Sequence, residues 1–152
     1  MAIVISSGLL FVNLYNSVVD APNWGHQLPK SIDVARNYFA FKSPADFFKF
    51  NAPLVHIIGI NCVIRFWKTD KKIRWYHVTA LVAILLNDLL TFVFFLPLNE
   101  ILFGDMQDIT LIQKAFHQWS VLNWFRSFVL AVMPVMYSLS LNRYLQMLLK
   151  GI

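Results

Sequence analysis

Thiol chemistry is almost absent from this chain, which carries one cysteine, Cys62, in 152 residues. A lone thiol excludes an intramolecular disulfide, a CxxC redox pair and any all-cysteine zinc site. Glycine is scarce as well, five residues scattered singly, so no Gly-rich phosphate loop exists. A nucleophile elbow, paired acids at glycosidase spacing, internal repeats and low-complexity tails are also missing. The shortage of charge says most. Asp, Glu, Lys and Arg make up 14% of the chain, where soluble domains carry about 25%.

What fills the space is apolar: 58% of residues are hydrophobic and 16% aromatic. A spanning helix needs about 20 mostly apolar residues, and four stretches approach or meet that length. They are Ala2–Val19, Phe47–Trp67, Trp75–Ile101 and Trp119–Leu141. The expected fold is an all-α integral membrane protein, one four-transmembrane-helix domain over residues 1–152. Ala2–Val19 lacks a basic leader and a small-x-small cleavage site and carries Asn13 and Asn16, so it reads as a retained first helix.

The formal charge of +5 does not point to nucleic acid, because of where the charge lies. Five of the thirteen basic residues (Arg65, Lys68, Lys71, Lys72 and Arg74) crowd the turn between spans two and three. That is the positive-inside pattern. It predicts a cytoplasmic turn, cytoplasmic termini and, for a bacterial chain, an inner-membrane location. Trp67, Trp75 and Tyr76 bracket the turn as interfacial aromatics do.

The connection between spans one and two holds an amphipathic segment. From Ser31 onward, Ile32, Ala35, Tyr38 and Phe39 fall on one face of a short interfacial helix. Ser43-Pro44-Ala45-Asp46 is a helix start, with Ser at the cap, Pro at the first position and Asp as capping-box partner. A Phe47-Phe48-Lys49-Phe50 belt follows, and Pro53 removes a backbone donor one turn on.

Two charges stand deep inside apolar runs, Asp88 in span three and Arg126 in span four. Such charges are expensive at bilayer depth and face a bundle interior or a wet cavity, commonly with a partner. Counted from Glu100 and His117, Asp88 lies roughly 18 Å in and Arg126 roughly 13 Å in, at about 1.5 Å per residue. The spacing predicts an Asp88–Arg126 ion pair flanked by Asn13, Asn16, Asn61 and Asn123. Asn13, Asn16, Asp20 and Asn23 should form one stripe on the first helix. Interhelical asparagines and ion pairs also hold membrane bundles together without any chemistry. His56, His117 and His26 share one end, which leaves a metal or haem on His56 and His117 as an alternative, although no ligand spacing accompanies it.

Two short motifs add to this. Pro97-Leu98-Asn99-Glu100-Ile101-Leu102 resembles the P-x-N-x-x-L signature of the anthrone oxygenase-like family, small four-helix membrane proteins often known only as a domain of unknown function. Trp119-Ser-Val-Leu-Asn123-Trp-Phe-Arg126 is similar to that family's W-x3-[HN]-x2-R pattern. The insertion carrying Tyr38-Phe39 and Phe47-Phe48 resembles Bacteroidetes-type members and departs from the fungal enzymes. The resemblance implies oxidation of a flat, hydrophobic aromatic or quinoid substrate by dioxygen, without an evident cofactor. It implies a site of Asn99, Trp119, Asn123 and Arg126. Asp88, Asn123 and Arg126 are then the catalytic candidates, and Asn13, Asn16, His56, Asn99 and Trp119 the substrate-binding ones. The competing reading is a non-enzymatic subunit of a larger membrane complex. An Asn123→Leu change separates the two: a substrate site predicts lost binding with the fold intact.

Overall fold

Residues 1–150 are described by the computed structural model, and no strand occurs among them. Four helices are long and apolar enough to cross a membrane: α1 (Ala2–Gly25), α3 (Pro44–Phe66), α4 (Lys71–Phe103) and α5 (Ile109–Leu149). A short helix, α2 (Lys30–Tyr38), joins the first two. The chain is an all-α integral membrane protein. Its helices satisfy their own backbone groups, as hydrocarbon requires, and their outer faces present large apolar side chains such as Ile64, Phe92, Phe125 and Phe128.

The helix starts are written locally. Asp70 caps α4 by accepting from the Lys72 and Ile73 amides, and Asp108 caps α5 by accepting from Thr110 and Leu111. The Ser43–Asp46 capping box forms as its sequence predicts, the Ser43 amide donating to Asp46 Oδ2 at 2.9 Å. Asp70 also accepts from Arg143 at 3.1 Å, which ties the α3–α4 turn to the far end of α5 and holds the Asp70 carboxyl below its usual range.

The alanines of α4 let α5 approach closely. Ala80, Ala83 and Ile84 are buried with Leu130, Met133 and Tyr137 of α5. α1 packs along the same helix through a more polar seam of Ser6, Asn13, Ser17, Asn123 and Ser127. α3 is the least buried span, with only Val55 and Gly59 enclosed. It packs on α1 and on the first two-thirds of α4 but diverges from residues 91–103. A cleft opens there.

Two turns break the α-helical phase. Residues Asn16–Asp20 and Thr91–Phe95 are π-helical, closed by Ala21 N–H to Asn16 C=O and Leu96 N–H to Thr91 C=O. Each is followed by a proline, Pro22 or Pro97. A proline ring collides with the carbonyl four residues before it, and a wider turn relieves that collision. The extra residue per turn rotates what comes next. Asn23, expected on the Asn13–Asn16 stripe, is exposed and bonded back to Val19 C=O, while Trp24 takes the buried place. On α2, Ile32 and Ala35 are buried and Phe39 packs inward, but Tyr38 faces outward, 80% exposed.

Candidate functional site

Arg126 is 7% exposed on α5 and lies between two rings, Phe48 of α3 at 4.6 Å and Phe95 of α4 at 4.7 Å from ring centroid to Cζ. Its Nε donates to Asn87 Oδ1 at 3.2 Å. Among the described residues no carboxylate pairs with it and its two terminal nitrogens donate to no protein atom. The expected Asp88–Arg126 ion pair is therefore not formed. Adjacent residues on a helix point about 100° apart, so Asn87 faces α5 whereas Asp88 faces α3. There Asp88 Oδ2 meets His56 Nε2 at 2.6 Å. Asn61, expected beside the pair, is exposed and bonded to Ile57 C=O.

Two cavities meet at Arg126, sharing Ala45, Phe48, Asn99 and Arg126 in their walls. The first, about 360 Å³, lies under α2. Its roof is Arg36 and Phe39 and its floor includes Asn16, Trp24 and Trp119. Arg36 fixes that roof by donating to the Leu102, Ile101 and Met106 carbonyls at 2.8, 3.3 and 3.1 Å, which satisfies the open end of α4. Trp24 packs edge-on against Trp119 and Phe103, each at 5.0 Å between centroids.

The second cavity, about 340 Å³, lies where α3 diverges from α4. Leu9, Val55, Ile84, Leu130 and Met133 make it apolar at depth. His56, Asn87, Asp88, Thr91, Asn99 and Arg126 bring polar groups to it. Its mouth lies between Lys49 and Ala52 on one side and Phe92 and Leu96 on the other.

The sequence-predicted residues divide accordingly. Asn16, His56, Asp88, Asn99, Trp119 and Arg126 line one cavity or both. Asn99 and Trp119, one from each motif, are joined by Trp119 Nε1–H donating to Asn99 Oδ1 at 2.9 Å. Asn13 and Asn123 line neither cavity. They form a reciprocal clasp between α1 and α5: Asn13 Nδ2 donates to Asn123 C=O and Ser127 Oγ, and Asn123 Nδ2 to Asn13 C=O and Ser17 Oγ. His56 has both ring nitrogens engaged and His117 is exposed, so the two do not converge on a metal or haem. No group of three metal-ligating side chains occurs among the described residues.

Sequence reasoning missed Phe48, Phe95, Asn87 and Arg36. Phe48 reads as one of three interfacial phenylalanines, and no composition signal separates it from the 78% exposed Phe50. Pro97 was the available signal for Phe95, since it sets the π turn that aims the ring. No family model, curated protein or solved structure matches this chain.

Proposed function

We propose that the protein binds a flat hydrophobic molecule bearing a phenol, enol or carbonyl oxygen, of the quinol or anthrone class, with that oxygen on Arg126. The observation that carries this reading is a buried guanidinium with free donors and no counter-ion, at the junction of two largely apolar cavities. Fixed positive charge in a low-dielectric site stabilises an oxyanion that forms there. Phe48, Phe95 and Trp119 supply flat apolar walls for rings. The motif resemblance adds the reaction, conversion of a ring methylene and dioxygen to a ring ketone and water. Anthrone with the protein in lipid nanodiscs should quench tryptophan fluorescence saturably and form anthraquinone with matching oxygen uptake. Absence of saturable binding would overturn the reading.

The orientation belongs to the same proposal: basic turn and termini cytoplasmic, cavities towards the opposite face, in a bacterial inner membrane. Cysteines placed at Lys71 and Asp108 in a Cys62→Ala background should label from opposite sides of intact cells, Asp108 from outside. Labelling of Lys71 from outside would invert the topology. A second reading, a subunit of a larger complex, rests on the exposed ridge Val121, Trp124, Phe125 and Phe128 of α5. It requires a stable larger assembly in native mass spectrometry, and lipid alone accounts for that ridge equally well.

A further inference from the structure

We propose that His56 and Asp88 hold one proton between them and together accept the proton of an acidic hydroxyl docked on Arg126. The proposal rests on the reading of the cavity given above. His56 Nδ1 lies 2.6 Å from Ala52 C=O, which only accepts, so Nδ1 carries hydrogen. Nε2 lies 2.6 Å from Asp88 Oδ2, and a bare lone pair cannot face a carboxylate at that distance, so a proton lies between them. Whether it resides on nitrogen or oxygen, the pair is neutral as a unit. Both tautomeric descriptions leave Asp88 Oδ1 with no hydrogen bond among the described residues.

The surroundings suit acceptance of one further proton at Oδ1. The Asp88 side chain is 27% exposed and lines the second cavity with Arg126. From α3 the other titratable group at this cavity is Lys49, 76% exposed at the mouth and 3.6 Å from Asp46. α1 contributes only Leu9 there, and α5 contributes Arg126 as its one charge.

The step balances without an outside reagent. The ligand O–H bond breaks, its proton goes to Asp88 Oδ1, and the electron pair stays on the ligand oxygen beside Arg126. Imidazolium on His56 keeps Oδ2. The total charge of the site is the same before and after, so no new net charge is made in a low-dielectric cavity. This selects the ligand by acidity. Phenols and enolisable ring ketones, whose conjugate bases spread their charge, give up the proton; ordinary alcohols do not.

The test uses 4-nitrophenol, whose phenolate form is coloured, with the full chain in phosphatidylcholine nanodiscs. The pH is set about one unit below the phenol's own ionisation, so most free ligand is neutral. Calorimetry in two buffers of different ionisation enthalpy reads the protons exchanged with solvent. The expected result is a phenolate band on binding with no net proton released. A band with about one proton released per ligand, or binding without a band, overturns the dyad's role and leaves the cavity reading standing. No binding at all overturns both. In a His56→Gln, Asp88→Asn double variant, the band should vanish or a proton should appear in solution. A band with no release in that variant assigns the acceptor elsewhere and also overturns the proposal. The wild-type measurement decides by itself if the variant does not fold.

Discussion

Arg126→Met should abolish turnover of anthrone while making the bundle more stable. Removing a donor of this kind lowers catalysis about 10²- to 10³-fold where an oxyanion forms. The stability argument runs the other way. Burying a cation without a counter-ion costs several kcal/mol, about the scale that two ring contacts, at ~1–2 kcal/mol each when desolvated, and one hydrogen bond to Asn87 only partly offset. Methionine fills the space between Phe48 and Phe95 with no charge to desolvate, so a gain of about 1–4 kcal/mol is expected. Thermal unfolding in detergent, beside oxygen uptake, gives the two readouts. Activity and stability falling together would make Arg126 part of the scaffold.

Asn123→Leu should do the opposite, destabilising the α1–α5 seam while leaving ligand binding unchanged. This reverses the expectation from sequence, and the reason is position: Asn123 is 1% exposed, faces α1 and lines neither cavity. Leucine removes donors to Asn13 C=O at 3.4 Å and Ser17 Oγ at 2.7 Å. Interhelical bonds in membranes average about 0.6 kcal/mol, with a maximum near 1.7. Partners left without a donor add a further cost of about 1–3 kcal/mol. A loss of about 2 kcal/mol is the expectation between those bounds. Combining it with Asn13→Leu should cost little more than either change alone, because both remove the same clasp. Strict additivity, or lost binding of anthrone in the single variant, would contradict the clasp.

The four spans were legible because apolar length is a one-dimensional property that survives any detail of packing. The Ser43–Asp46 start was legible for the same local reason. Azimuth was not. Whether Asn87 or Asp88 faces α5 is a matter of one residue of phase, and two π turns shift that phase along α1 and α4. Pro22 and Pro97 marked both turns, yet a proline in a helical run signals a kink as readily as a wider turn. His56 was identified as a candidate, but its carboxylate partner belongs to another helix and needed the α3–α4 packing to be known. Asn61 and Asn123 show the limit of residue type alone: identical side chains, one exposed and one enclosed.

The divergence of α3 from residues 91–103 sets how affinity must be expressed. A mouth between two spanning helices samples solute already dissolved in hydrocarbon, so the bilayer is a reservoir phase in series with the binding step. The occupancy of such a site follows the mole fraction of ligand in lipid, and the aqueous concentration enters only through the partition coefficient. Doubling the lipid at fixed total ligand should dilute that fraction and weaken apparent binding, with no change in the protein. Dissociation constants for this cavity are therefore comparable between ligands only after each is divided by its own partitioning. A poorly soluble compound will otherwise be credited with an affinity that belongs to the membrane.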